Sequence, residues 1–369
     1  MTNQKTVGLV VAPGVTERLA ENLIQEMPKM LSTHYDHQQE WIFDLVTDPL
    51  TGFAESVDEI FGKVADYHDK RQWDYVIAIT DLPMFADKQV MALDINMENG
   101  AAIFSYPAFG WRPVKKRFKH AIYNIIQELN EAEQESRNYD NNKQIENSVK
   151  KQFPLSKIDK ETIYMKETDS YHLRYLSSSR SRGMFRLVSG MTFANNPLNM
   201  MASLSNIVAI AFTTGAFGLV FTTMWQMAYN FSMWRLFGIS IIAIIGMLIW
   251  IMMSHDLWEP VNKSNHKRIT WLYNLTTIMT LIFAIIIYYI ILYLLFLIAE
   301  IVLLPSGFLG QQVGLKGPAG IDLYLSIPWF AASISTVAGA IGAGLHNDEL
   351  IKESTYGYRQ RVRYEEQRR

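Results

Sequence analysis

Apolar and polar positions divide this chain into two halves of different rhythm. In the first half, short apolar runs alternate with amphipathic stretches. Residues 6–12 (TVGLVVA) form an unbroken valine-rich run, the pattern of a strand covered on both faces. Pro13-Gly14 ends it. From Thr16 onward, Leu19, Leu23, Ile24, Met27, Met30 and Leu31 recur at spacings of three and four, which predicts a helix. Trp41–Val46 predicts a second strand, closed by Thr47-Asp48-Pro49. Val57, Ile60, Phe61 and Val64 mark one face of a second helix, and Asp74–Thr80 predicts a third buried strand ending at Thr80-Asp81-Leu82-Pro83. The runs Val90–Ile95 and Ala101–Ser105 flank Asn96–Gly100 and predict a β-hairpin with a glycine turn. A long helix follows from about Val114 to Ser136. The polar stretch 137–151 reads as a linker, Glu161–Lys166 as a further strand, and Tyr171–Leu187 as an amphipathic helix leading out of this half.

The second half is organised by the absence of charge. No Asp, Glu, Lys or Arg occurs between Arg186 and Arg235, Arg235 and Asp256, Arg268 and Glu300, or Asp322 and Asp348. A bilayer core of about 30 Å needs roughly 20 apolar residues as helix. The four gaps therefore predict four transmembrane helices, at about 204–227, 235–254, 272–304 and 322–345. The expected architecture is an α/β soluble domain, with a mostly parallel sheet plus a β-hairpin, on an all-α four-helix transmembrane domain. Its divisions are a cytosolic domain over 1–136, a linker with a possible extra strand and a juxtamembrane helix over 137–200, the membrane domain over 201–348, and a basic tail over 349–369.

Loop charges give the orientation. Lys263, Lys267 and Arg268 follow the second span, and the tail holds Lys352, Arg359, Arg361, Arg363, Arg368 and Arg369. The opposite loops are poor in charge. The N-terminal run reads as a strand and not as a signal peptide. Both termini are thus expected in the cytosol. The chain has no cysteine, which excludes disulfides, thiolate catalysis and Cys-ligated metals.

Candidate chemistry is sparse. The carboxyl ends of strands in an open parallel sheet form the usual ligand crevice, which makes Gly14, Asp48 and Asp81 the ligand-binding candidates. The competing reading is turn and capping chemistry. A single glycine after the first strand does not make a dinucleotide or phosphate-binding loop. The soluble half is not basic overall, which argues against nucleic acid. Arg180, Arg182 and Arg186, just ahead of the first span, are the candidate lipid contacts. Lys115-Lys116-Arg117-Phe118-Lys119-His120 is a basic cluster at a helix start, with a solvated face as the bland reading. In the last span, Ala338, Gly339, Gly342 and Gly344 offer a small-residue packing face, within the bundle or between copies of the chain, and a homo-oligomer is expected through it. Gly215 and Gly218 add a small surface to the first span. Glu300, Arg235 and Asp322 fall near the outer span ends, where Arg235 is expected to pair with one of the two acids. No catalytic residue, metal site or cofactor is assigned, and the protein partner is open.

The order of elements, with Ile77–Pro83, the hairpin and Gly100–Pro107, resembles the archaemetzincin layout. In that family the next helix carries H-E-x-x-H, two zinc ligands on one face. Here the corresponding stretch is Arg117-Phe-Lys-His120-Ala-Ile-Tyr-Asn124, which lacks the glutamate and the second histidine, so the resemblance implies a pseudoenzyme. Across nearly its whole length the chain also resembles an uncharacterised family of Gram-positive and actinobacterial membrane proteins. The motifs that carry this likeness are Thr80-Asp-Leu-Pro83, Ser105-Tyr-Pro-Ala-Phe-Gly110, Ala194-Asn-Asn-Pro197, Thr222-Thr-Met-Trp-Gln226 and Tyr356-Gly-Tyr-Arg-Gln-Arg361. This resemblance implies a cytosolic α/β domain on four spans in a bacterial plasma membrane and brings no activity. The leading expectation is a non-enzymatic sensing or scaffolding membrane protein. A metal-dependent hydrolase using the strand-end aspartates is the alternative, and a pore or transporter the second alternative.

Overall fold

The computed structural model describes residues 3–34, 39–52, 57–111, 114–133, 151, 158–165, 170–198, 200, 204–260, 267–343, 348–353 and 355–368. The chain separates into two compact units. One comprises Met1–Ala194 with Gln360–Arg369, the other Asn195–Arg359.

The first unit is built on β1 (Asn3–Val11), α1 (Val15–His34), β2 (Gln39–Thr47), α2 (Val57–Arg71), β3 (Tyr75–Thr80), β4 (Met84–Ala86), β5 (Gln89–Asn96), β6 (Ala101–Ser105), α3 (Val114–Glu133), β7 (Ile158–Met165), β8 (Ser170–Ser177) and α4 (Arg180–Ala194). Short 3-10 turns lie at Pro49–Gly52 and Tyr106–Phe109. The strands make one sheet in the order β2-β1-β3-β6-β5-β8-β7, with β4 added against β5. The β1–β2, β1–β3 and β3–β6 pairings are parallel, while β4–β5, β5–β6, β5–β8 and β7–β8 are antiparallel.

The expectation of a mostly parallel sheet is therefore corrected to a mixed one. The parallel half is where sequence reasoning placed it, because β3 and β6 are buried along their whole length and read as continuous apolar runs. The antiparallel half grew beyond the expected hairpin. Residues 171–177, expected in a helix, belong to β8, which pairs with both β5 and β7. In Tyr171-His-Leu-Arg-Tyr-Leu176 the two spacings coincide closely enough to be confused. Its two tyrosines favour a strand once a sheet edge is present. The helix that follows begins only at Arg180.

The core lies on both faces of the sheet. Val10, Val76, Ala78 and Ile103 pack with Ile60, Phe61 and Val64 of α2. Phe104, Phe109 and Phe118 form a ring cluster with centroid separations of 5.3–5.8 Å on the side of α3. Gly8 on β1 leaves room for the Trp73 ring, which occupies the space a Cβ would need.

The second unit is helical: α5 (Ser205–Gly218), α6 (Thr222–Asn230), α7 (Met233–Ser254), α8 (Lys267–Leu303), α9 (Ser306–Val313), α10 (Ile321–Ala343) and α11 (Asp348–Glu353). The last helix, α12 (Tyr356–Arg368), begins here and continues into the first unit. Three helices, α7, α8 and α10, are long and apolar enough to cross a membrane. The stretch expected as the first span is not a single helix. It is α5 and α6, bent by 93° at Leu219–Phe221. Gly218 gives α5 a weak end, and Phe221 holds the extended backbone of a helix-preceding residue. Helix α8, at 37 residues, is about 55 Å long, well beyond a ~30 Å apolar core.

Polar side chains tie the bundle. Ser240 of α7, Tyr289 of α8 and Ser333 of α10 are joined by hydroxyl hydrogen bonds of 2.7–3.0 Å, and Trp329 Nε1 donates to Ser240 Oγ at 2.6 Å. Such bonds hold helices together where lipid offers no hydrophobic drive. Trp329 and Trp225 thus serve packing inside this unit. Trp225 is 2% exposed and donates to the Leu219 carbonyl at the bend. Trp234, Trp250, Trp258 and Trp271 are exposed.

The small residues behave likewise. A Cβ at Gly215 would meet Ser335 Oγ and the Phe296 ring, and one at Gly339 would meet the Tyr288 hydroxyl, Ala211 and Ile207. Both glycines permit close packing inside this unit. Ala338 is half-buried, the surroundings of Gly342 are outside the described residues, and Gly344 lies outside them altogether.

Candidate functional site

The first unit turns its strand order at β1, with β2 on one side and β3 on the other. Open α/β sheets bind ligands at the carboxyl ends of strands at such a switch point. Pro13-Gly14 follows β1, Asp48 and the turn to Gly52 follow β2, and Asp81 follows β3, so three strand ends bring these residues to one crevice.

What fills that crevice is the chain's own tail. Arg363 of α12 donates through Nη1 to Asp81 Oδ1 at 2.9 Å and to the Gly52 carbonyl at 2.9 Å. Through Nη2 it donates to Asp81 Oδ2 at 3.1 Å and to the Pro13 carbonyl at 2.7 Å. This is a fork-on-fork guanidinium–carboxylate pair with two backbone acceptors completing the fork. Both partners are buried, Arg363 to 7% and Asp81 to 3% exposure. Gly52 is required locally, because a Cβ there would overlap Arg363 Nη1. The neighbouring hydroxyls close the floor. Thr80 Oγ1 donates to the Thr51 carbonyl, and Ser105 Oγ donates to the Leu82 carbonyl at 2.7 Å.

The three ligand candidates thus take different roles. Asp81 is the anchor of the arginine. Asp48 is buried but faces α2, accepting from the Tyr67 hydroxyl at 2.8 Å with Lys63 Nζ at 3.5 Å. Burial, and then this hydrogen bond, push the Tyr67 hydroxyl up to about 12, so it remains a donor at neutral pH. The Asp48 carbonyl also accepts from Thr51 Oγ1 at 2.7 Å and opens the turn to Gly52. Gly14 is a turn residue at φ +99°, its N–H bonded to Glu17 Oε2 at 3.2 Å. Sequence reasoning put Gly14, Asp48 and Asp81 at neighbouring strand ends and missed Arg363, which lies some 280 residues from Asp81 along the chain.

A second constellation went unforeseen. On the α2 face of the sheet, His172 Nδ1 lies 2.8 Å from Asp94 Oδ1, and His172 Nε2 lies 3.0 Å from Ser170 Oγ. The order Ser–His–Asp matches a nucleophile, base and orienting acid. It arises from sheet register, because Asp94 faces Arg174 and Asn96 faces His172 across β5 and β8. Arg174 Nε donates to Asp94 Oδ2 at 2.8 Å, Asn96 Nδ2 to Ser170 Oγ at 3.3 Å, and the Phe61 ring meets the His172 ring edge-on. Ser170 and His172 are each 2% exposed and Asp94 is fully buried. A nucleophile must reach substrate, and this serine sits beneath α2. The arrangement is a satisfied buried network that fixes the register of β8.

The basic cluster on α3 is partly neutralised. Lys115 and Lys119 bridge Glu26 of α1 at 3.0 and 2.9 Å, and Lys119 first, then Lys115, hold that carboxyl below its ordinary range. Lys116 and His120 line the same groove. Asn124, where the metzincin layout needs a ligand, is buried in the core with its amide nitrogen unpartnered. Among the described residues, no three His, Asp or Glu side chains gather as a metal centre requires. In the helical unit, Arg235 packs over the Phe231 ring at 4.3 Å, and among the described residues the expected ion pair with Glu300 or Asp322 is not seen. Comparison with protein-family models, with curated proteins and with solved structures finds no match for this chain.

Proposed function

We propose that the chain is a multi-pass membrane protein of the bacterial plasma membrane. Its α/β domain works in the cytosol as a non-enzymatic sensing or scaffolding module, and its strand-end crevice is a receptor for a guanidinium. The observation that carries this reading is Arg363 seated on Asp81. A crevice at a sheet's switch point is where ligands bind, and here a charged side chain already satisfies it on every side.

The same pairing supports the topology. The residues on either side of the membrane-spanning segment belong to one compact unit. They must therefore lie on one side of the bilayer, which requires an even number of crossings. Three straight helices give an odd number, and counting the bent pair α5–α6 as a crossing gives four. The basic loops and tail favour the cytosolic side for both ends. A reporter enzyme fused after Arg369 should be active only in the cytosol. Activity outside the cell would contradict the cytosolic orientation.

A second reading, transport, is favoured by one observation. Glu300 on α8 is fully buried in the apolar bundle, and neither carboxyl oxygen has a hydrogen-bond partner among the described residues. Ionisable groups in such places mark ion and proton paths, and broken helices often accompany them. Proteoliposomes carrying the full chain and a pH-sensitive dye should then show proton flux that Glu300→Gln abolishes. An absence of flux in the unaltered protein sinks this reading and leaves the first intact.

A further inference from the structure

The first unit holds a cavity of about 250 Å³ beside the turn that follows β6, lined by Phe109, Gly110, Trp111, Arg117, Ser181, Arg182, Phe185, Arg186 and Ser189. Two segments build it. Arg182, Phe185, Arg186 and Ser189 follow at helical spacings on one face of α4. The turn Tyr106–Phe109, with Gly110, Trp111 and the start of α3, supplies the opposite wall. Gly110 has φ +74°, and a Cβ there would strike Arg186 Cγ, so a glycine is needed both for the turn and for the arginine's path. Gly190 lets α4 approach the Pro107 carbonyl too closely for any side chain.

The chemistry of the lining is one-sided. Three arginines face the cavity, and none of its described lining residues is acidic. Arg117 donates to the carbonyls of Phe109 and Trp111 at 3.3 and 3.2 Å, which positions the guanidinium without neutralising it. Arg182 is exposed and Arg186 is buried to 8%. The rim is apolar and open. Trp111 is 55% and Phe185 72% exposed, and Trp111 packs on Phe193 at 5.4 Å. A cationic interior with an exposed aromatic rim suits a ligand with an anionic head and an apolar body.

We propose that this cavity binds the phosphate of an anionic phospholipid headgroup, with Arg117, Arg182 and Arg186 around the phosphate and Trp111 and Phe185 against the acyl–glycerol region. Arginine forks match phosphate oxygens. Burial, and then the charge of Arg117, push the Arg186 guanidinium down to about 10, and burial lowers Arg117 as well. An anion between them would offset the repulsion between the two guanidiniums. Of the three juxtamembrane arginines expected to touch lipid, Arg182 and Arg186 line the cavity, and Arg180 is exposed outside it. The site shares no lining residue with the crevice that Arg363 fills.

The test is native mass spectrometry of the full chain in detergent, titrated separately with dioleoyl phosphatidylglycerol, dioleoyl phosphatidylcholine and glycerol 3-phosphate. The unaltered protein should retain phosphatidylglycerol over phosphatidylcholine. Arg182→Ala removes an exposed side chain that the fold does not need and should weaken retention about five-fold, the factor expected for one basic residue at an anionic surface. Arg182→Ala with Arg186→Gln should weaken it further. Glycerol 3-phosphate should bind weakly and fail to displace the lipid. Binding of glycerol 3-phosphate as tight as that of the lipid would overturn the lipid assignment in favour of a soluble phosphate ester. Equal retention of phosphatidylglycerol by the unaltered chain and Arg182→Ala would overturn the site.

Discussion

Asp94→Ala should destabilise the first unit by about 3–5 kcal/mol, the usual cost of removing one partner from a buried ion pair. Asp94 is fully buried and accepts from both His172 and Arg174, so its loss strands the buried His172 donor under α2 and takes the carboxylate from the part-buried Arg174. For a unit of this size the change corresponds to a fall of roughly 10 °C or more in thermal midpoint. A melt of the full chain in detergent, followed by near-ultraviolet circular dichroism, reads it directly. Asp94→Asn keeps an acceptor and should fall between the two. A midpoint within two or so degrees of the unaltered protein for Asp94→Ala would show that the network is not what secures β8.

Arg363→Ala and Asp81→Ala should each release the tail, with different consequences for the rest of the unit. With Arg363 gone, Asp81 and the Pro13 and Gly52 carbonyls lose their donor, but water can enter once α12 lifts away. With Asp81 gone, the guanidinium has no reason to stay buried and leaves with the helix. Each change should therefore cost the tail about 3 kcal/mol of protection while the sheet stays folded. The two effects should not add. The double variant should be released no further than either single one, because both remove the same interaction. Additive effects would mean that Arg363 and Asp81 act on separate features.

The parallel half of the sheet and the crevice were legible in the sequence because their signals are local. An unbroken valine-rich run, a Pro-Gly stop and a Thr-Asp end mark each strand and its terminus within a few residues. The three long apolar helices were legible for a similar reason, since a gap in charge is a one-dimensional pattern. What escaped depends on distant partners. Residues 170–177 become a strand because β5 offers an edge, which no window of the sequence contains. The bend between α5 and α6 lies in a stretch whose hydropathy is continuous, and only the weak helix end at Gly218 hints at it. Arg363 looked like one of several tail basics. Its distinction is that Gly52, far away, has no side chain. A pairing of one arginine with one glycine and one aspartate across most of the chain leaves no periodic trace.

The seating of Arg363 is tested most directly by hydrogen exchange on the full chain in detergent, comparing the unaltered protein with Asp81→Asn. An isolated helix of 13 residues, rich in charge, is marginal in water, so α12 should be protected only while anchored. The account predicts slow exchange for the amides of Gln360–Arg368 in the unaltered protein. It predicts exchange faster by on the order of a hundredfold in Asp81→Asn, with β1 and β3 unchanged in both. Equal, rapid exchange of those amides in both proteins would contradict the claim that the crevice is held by the chain's own tail.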